Sequence, residues 1–164
     1  MQFVKRLSLA TVVALAFGAF SSAPTASGAG CFAHKGAERS FAQKINDARG
    51  GAGVRRLQLD KQLSRVARKH SWEMKKRHSL FHTEGNKLGR RVTRWTLLGE
   101  NVGVGGDVVS LHRAFMDSPA HKANVLRSAY NHVGVGVHRS DNYLWVTIVF
   151  EATRDPGTRL RMCR

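Results

Sequence analysis

The sequence predicts an α+β domain, a three-layer α-β-α sandwich in which helices cover both faces of a small antiparallel sheet. The first observation is a hairpin pattern: residues 133–137 alternate valine with glycine, and residues 143–150 are apolar at every position except Thr147. The short, turn-like segment between them favours antiparallel pairing. The second observation is that a continuously apolar strand must be covered on both faces, and the predicted helices are the available covers.

The N-terminal half of the chain predicts two helices. Residues 38–48 place apolar side chains at helical spacing, and the glycines that follow lower the helix propensity. Asp60 can accept hydrogen bonds at the start of a second helix over residues 61–77. His70 is expected in the core, because it lies on the apolar stripe of that helix. The stripe consists of Leu63, Val66, Ala67, His70 and Met74.

The middle of the chain is less regular. Residues 79–106 show no lasting periodicity and contain six glycines, which predicts a long loop with one short strand near residues 99–104. Asp107 can then cap a third helix. Ser118 and Pro119 begin a short fourth helix, because serine suits the N-cap position and proline suits the first helical position.

Composition and the N-terminal segment indicate an exported, single-domain protein. The 164 residues include 27 Lys plus Arg, 11 Asp plus Glu and 42% hydrophobic positions, which excludes a disordered or fibrous chain. Residues 1–29 have the pattern of a secretory signal peptide, with Lys5 and Arg6 before an apolar run that is too short to span a bilayer. Cleavage there removes two basic residues and lowers the net charge from +16 to +14. Residues 30–164 then form one domain, expected to be monomeric and either extracellular or associated with the cell envelope.

The two cysteines lie at the two ends of the mature chain. In an oxidising compartment, Cys31 and Cys163 predict one disulfide bond that joins the termini. The chain-entropy view gives such a long loop about 4 to 5 kcal/mol of stabilisation. Two free thiols, or a bridge between two chains, are the alternatives.

Four segments, taken in order, resemble the bacterial branch of the CAP superfamily, the secreted domain also called SCP-like. The resemblance extends over about residues 41–151. Each segment alone is a weak signal, and the ordered set is specific. The segments are Phe81-His82, the Gly-Glu-Asn tripeptide at 99–101, the run Ser-Pro-Ala-His-Lys-Ala-Asn-Val-Leu at 118–126, and Val-Gly-Val-Gly-Val at 133–137.

The resemblance implies an α-β-α sandwich whose central cleft is lined by two histidines and two acidic residues, a set that in some members holds a divalent metal. His82, Glu100 and His121 fall on three of these positions. The fourth position lies three residues after Phe115, where this chain has Ser118 instead of glutamate. A zinc-like ion bound by His82, Glu100 and His121 would therefore lack the fourth family ligand.

The chemistry of these residue types supports the same site, but it is weaker evidence than the family resemblance. Two imidazoles and a carboxylate suit zinc-like ions, but separations of 18 and 21 residues are no local ligand motif. His121 lies in the first turn of a helix, where the macrodipole favours the neutral imidazole. Glu100 follows an apolar pair and needs a partner if it is buried. The alternative is a hydrogen-bonded cluster that fastens the long loop to the helices and binds no ligand.

Basic residues recur along the chain, and they predict contact with anionic material. A basic exported surface suits anionic envelope polymers or membranes, and the sequence has no motif for specific nucleic-acid binding. The large aromatic residues Trp72 and Trp95 are expected in the core more than in a binding groove. The basic positions are Arg55, Arg56, Lys61, Arg65, Arg68, Lys69, Lys75, Lys76, Arg90, Arg91 and Arg94.

Three functions follow from these patterns. The first is a secreted CAP domain that binds a lipid-like or cell-envelope ligand in a cleft lined by His82, Glu100 and His121. The second is a metal-assisted hydrolase in which Glu100 acts as general base on a metal-bound water. The third is a basic adhesion module for anionic envelope polymers or membranes. No catalytic residue is assigned, because no other catalytic motif is present in the sequence.

Overall fold

Residues 32–154 are the part of the chain that the computed structural model describes, and they form five helices and a four-stranded sheet. The predicted signal peptide, Cys31 and Cys163 lie outside the described residues. The elements in chain order are α1 (Gly36–Gly51), β1 (Gln58–Leu59), α2 (Lys61–Arg77), α3 (Gly85–Arg91), β2 (Leu97–Gly105), α4 (Val108–Asp117), α5 (Pro119–Leu126), β3 (His132–Ser140) and β4 (Tyr143–Ala152).

The sheet has the strand order β1-β3-β4-β2, so β2 is an edge strand. The predicted β3–β4 hairpin is present and antiparallel, and β2 pairs antiparallel with the other side of β4. The two-residue strand β1, which the sequence does not predict, adds a parallel pair to β3. Helices pack on both faces of the sheet, which confirms the predicted three-layer α-β-α arrangement.

Because valine and glycine alternate along β3, the two faces of this strand pack differently. The valines face α1 and α4 and belong to the main core with Phe41 and Ile45. The glycines face α2, where a Cβ on Gly134 would lie 2.2 Å from the backbone of Leu63, and a Cβ on Gly136 would lie 2.1 Å from the backbone nitrogen of Arg68. Glycine is therefore required because the backbone of α2 lies directly on the sheet.

Two helices differ from the sequence prediction. Helix α1 continues through Gly50 and Gly51, because the buried side chain of Arg49 donates hydrogen bonds to the carbonyls of Val125, at 2.7 Å, and Arg127, at 3.0 Å. These contacts outweigh the low helix propensity of glycine. Helix α3 lies inside the predicted long loop, and buried Leu88 anchors it against α2.

Of three large side chains that the sequence places in the core, one is buried and two are exposed. His70 is buried as predicted, and its Nε2 hydrogen-bonds with the carbonyl of Phe81 at 2.8 Å. The expectation that Trp72 and Trp95 lie in the core is wrong, because both are exposed. Trp72 lies on the outer face of α2, and Trp95 packs on Gly89 of α3. None of the helices within residues 32–154 combines the length and apolar character needed to cross a membrane.

Candidate functional site: the free edge of strand β2

Two consecutive residues of the edge strand β2 organise the candidate site. Side chains alternate between the faces of a strand, so Glu100 points to the α2 layer and Asn101 points to the layer of α4 and α5. Glu100 contacts the side chain of His82, and Asn101 contacts the backbone of His121. The Glu-Asn pair thus brings the two histidine segments to one sheet edge from opposite layers.

The carboxylate of Glu100 has one satisfied and one unsatisfied oxygen. Its Oε1 accepts a hydrogen bond from the backbone N–H of Thr83 at 2.7 Å and lies 3.0 Å from Nδ1 of His82. The Glu100 side chain is 6% exposed, and its Oε2 is buried without a hydrogen-bond partner among the described residues. This oxygen is an acceptor that nothing in residues 32–154 uses.

His82 presents its outer ring nitrogen to solvent. Its side chain is 60% exposed, although Nδ1 contacts the buried carboxylate. The other ring nitrogen, Nε2, lies on the opposite side of the imidazole from this contact. The segment before His82 is fixed from α2, because His70 bonds the carbonyl of Phe81 and the guanidinium of Arg77 lies 5.0 Å from the centre of the Phe81 ring.

His121 lies in the first turn of α5, as predicted. Ser118 is the N-cap residue, but its hydroxyl hydrogen-bonds with Nδ1 of His121 at 2.8 Å and makes no cap bond to the backbone. The carbonyl of His121 accepts a hydrogen bond from Nδ2 of Asn101 at 3.0 Å, and its ring packs on Phe115. Burial and then the nearby His82 lower the pKa of His121, which favours the neutral form of its imidazole.

The asparagine at 124 joins the two halves of the site. Its Nδ2 lies 2.9 Å from Oδ1 of Asn101 and 3.3 Å from the carbonyl of Glu100, and it donates to both. The structure therefore places His82 and Glu100 in direct contact, while His121 reaches the same edge through Asn101 and Asn124. Sequence reasoning did not find these amide contacts, although Asn101 and Asn124 both lie within the segments that resemble the family.

A cavity of about 200 Å³ adjoins the His82 side of the site. Thr83, which lines it, has a buried hydroxyl without a hydrogen-bond partner in the described part of the chain. A larger surface depression of about 380 Å³ lies beside it and shares Glu73 and Arg77. The residues that line the smaller cavity are His70, Glu73, Arg77, Phe81, His82, Thr83, Glu84 and Lys87.

The donor set at the edge does not form a metal centre by itself. Within residues 32–154, no three His, Cys, Asp or Glu side chains are grouped so that they could hold a metal ion. The hydroxyl of Ser118, which replaces the fourth family carboxylate, is already hydrogen-bonded to His121. Metal binding by His82, Glu100 and His121 would therefore need a further donor from a ligand or from outside these residues.

The SCP-like segments imply an α-β-α sandwich whose central cleft is lined by two histidines and two acidic residues. The structure has this sandwich, with His82, Glu100 and His121 at the free edge of its sheet. The sequence profile of the CAP family, described as the Cysteine-rich secretory protein family, matches residues 42–150. The chain belongs to this family, and bacterial proteins are among its relatives.

Individual relatives agree with this assignment. The uncharacterised protein YkwD of Bacillus subtilis strain 168 is 29% identical over 115 residues, which are 66% of this chain and 44% of YkwD. The chain thus spans less than half the length of that relative. An extracellular SCP-domain protein of Bacillus anthracis strain Ames is 28% identical with a TM-score of 0.61, over 71% of this chain and 41% of that one.

The fold is also shared with a more distant protein. An outer surface protein of Borrelia burgdorferi has a TM-score of 0.65 and 17% identity, and the match covers 71% of this chain and 92% of that one. At this level of identity the likeness concerns the fold alone.

Proposed function

We propose that this CAP domain is exported and binds a lipid-like or cell-envelope ligand at the free edge of β2, through a ligand group that donates a hydrogen bond to Oε2 of Glu100. The observation that supports this proposal is the unsatisfied buried oxygen of that carboxylate. Leaving a buried acceptor unpaired costs about 1 to 3 kcal/mol, more when it is charged. A hydroxyl or amine of a ligand would remove this cost.

The contacts around Glu100 favour binding because the carboxylate is already oriented. The Thr83 amide and the His82 ring both contact Oε1, so the carboxylate is held in one orientation, and a ligand reaches the buried Oε2 once the exposed His82 ring moves aside. Groups that are fixed before binding lose little conformational freedom when the ligand arrives. The exposed ring of His82 and the neutral ring of His121 add polar groups at the same edge.

The size of the neighbouring cavity favours a ligand with a small polar head. About 200 Å³ is below the roughly 300 to 1,000 Å³ of pockets that enclose a drug-sized molecule. A polar head or a single sugar-sized group fits such a space, while the remainder of the ligand lies outside. This suits an amphiphile or an envelope fragment better than a wholly enclosed small molecule.

Glu100→Gln is the decisive substitution for this proposal. Because Oε1 of the new amide must still accept from the Thr83 N–H, its NH₂ group takes the place of Oε2 and presents donors to the ligand. We expect the variant to fold normally and to lose ligand binding by about tenfold or more, as when a hydrogen bond to a charged acceptor is removed. The measurement is mass spectrometry of molecules retained by the purified protein from an extract of bacterial polar lipids and from a digest of peptidoglycan.

Asp47→Asn is the matched control, because it makes the same carboxylate-to-amide change on the exposed side of α1. The control should retain the same molecules as the wild type. If Glu100→Gln retains the same molecules with the same affinity as the wild type, binding through Oε2 is wrong.

Export of the chain is part of the same proposal. The basic and apolar pattern of residues 1–29 supports it, and the Bacillus anthracis relative is described as extracellular. An envelope ligand is accessible only to a protein on that side of the membrane.

A further inference from the structure

The solvent-facing side of α2 carries one continuous row of basic and aromatic side chains, none of which contacts Glu100 or the two histidines of the candidate site. Arg65, Lys69, Trp72 and Lys76 follow one another at intervals of four, three and four residues, which places them on one face of the helix. All four are exposed, Trp72 to 46%. These four residues, here called the basic stripe, extend over about 16 Å of helix.

The basic stripe is not neutralised by neighbouring acids. The acidic residue of α2, Glu73, is already in contact with Arg91 at 3.2 Å and lies 3.6 Å from His70. Arg65, Lys69 and Lys76 form no ion pair with any acidic residue between positions 32 and 154. The positive charge of the stripe is therefore available to an external anion.

One basic residue of α2 has a different role. The guanidinium of Arg68 donates to both carboxylate oxygens of the buried Glu38, at 2.6 and 2.5 Å, and lies 4.2 Å from the centre of the Phe32 ring. Arg68 therefore joins α2 to the segment around α1 and does not belong to the stripe. The sequence pattern alone groups it with the exposed basic residues of the helix.

The aromatic member of the stripe indicates the kind of partner. Trp72 and Lys76 line the depression of about 380 Å³, and the ammonium of Lys76 lies 5.1 Å from the centre of the Trp72 ring. A tryptophan among cations suits a membrane interface, where its apolar ring enters the headgroup region while the cations meet lipid phosphates. A purely charged polymer would gain little from an exposed indole.

We propose that the basic stripe docks this domain on the surface of an anionic lipid bilayer, with Trp72 inserted at the headgroup level. Each basic side chain near such a surface strengthens binding roughly fivefold, and the indole adds a contribution that salt does not screen. Two kinds of attraction together give stable but reversible attachment.

The test uses the mature protein and vesicles of phosphatidylglycerol mixed with phosphatidylcholine, in a cosedimentation assay. Combined Arg65→Gln, Lys69→Gln and Lys76→Gln should weaken binding about a hundredfold. The matched control, Arg55→Gln with Arg113→Gln and Arg139→Gln, removes the same charge from exposed positions outside α2 and should change binding little. Equal losses in both triple variants would mean that only net charge matters, and the docking surface would be wrong.

A second comparison separates the bilayer from a phosphate polymer. Trp72→Ala should weaken vesicle binding several-fold and leave binding of soluble inorganic polyphosphate unchanged, whereas Tyr143→Ala, at another exposed aromatic, should affect neither. If Trp72→Ala has no effect on vesicles and the wild type binds polyphosphate as tightly as it binds vesicles, the partner is a polyanion and the bilayer proposal fails. Circular dichroism and the Tm of each variant show whether it is folded.

Discussion

At the scale of single residues, Glu151 of β4 is a buried carboxyl group outside the cleft. It is 2% exposed and pairs in register with His132 of β3 and Leu98 of β2. Burial, and then the nearby Asp60, raise its pKa from 4.5 to about 7. The folded state therefore keeps a proton that the unfolded chain has already lost. The contribution of this proton to stability is complete below about pH 4.5 and is lost as the pH rises through about 7.

Glu151→Gln removes this titration and keeps the size of the side chain. We expect the variant to resemble the wild type in stability near pH 4 and to be more stable by on the order of 3 kcal/mol near pH 8. Urea unfolding at the two pH values measures the difference. Asp141→Asn, the same carboxylate-to-amide change at an exposed turn, is the control for the substitution itself. A difference between Glu151→Gln and wild type that is the same at both pH values would contradict the prediction.

The candidate site shows how far single residues can be predicted. His82, Glu100 and His121 could be chosen because they fall on family positions, whereas their spacing in the chain indicates no local motif. The partners Thr83 and Ser118 could not be predicted. A backbone amide has no sequence signature, and the serine pattern predicts a helix cap instead of a bond to an imidazole.

At the scale of elements, the best predictions were those with two independent signals. Helix α2 has both an N-cap at Asp60, which accepts from the N–H of Leu63, and a complete apolar stripe. The β3–β4 hairpin has a turn and a continuous apolar strand. Helix α3 has seven residues and no side-chain cap, so neither periodicity nor capping indicates it. Tertiary contact through Leu88 stabilises it instead.

Gly136→Ala tests the close contact between α2 and the sheet. A Cβ there would lie 2.1 to 2.5 Å from backbone atoms of Ala67 and Arg68, so the helix would have to shift. We expect a loss of about 3 kcal/mol or more in the free energy of unfolding, at the upper end of overpacking costs. Gly106→Ala, with nothing within 4 Å, is the control and should change stability by less than about 1 kcal/mol. Chemical denaturation measures both, and equal effects would disprove the contact.

At the scale of the whole molecule, the sequence makes predictions for the ends of the chain, which lie outside residues 32–154. We expect the secreted protein to begin at Gly30 and to contain a bond between Cys31 and Cys163. Intact-mass measurement with and without reduction should show a monomer that gains two hydrogens on reduction. Titration of two free thiols per chain in the unreduced protein would contradict the bond, and an N-terminal sequence that starts elsewhere would contradict the cleavage site.

The edge position of β2 also determines when the candidate site can form during folding. Ser140 and Tyr143 close the hairpin across a few residues, whereas Glu100 pairs with Val149, almost fifty residues further along the chain. Closing such a long loop costs conformational entropy before the stabilising contacts form. We therefore expect β2 to pair with the preformed β3–β4 hairpin late in folding. Until β2 pairs with β4, Glu100 and Asn101 do not hold the two histidine segments at one sheet edge. Any molecule that binds at the free edge of β2 should therefore slow global unfolding and raise the Tm of the entire domain. A thermal-shift measurement is then a general screen for such a molecule.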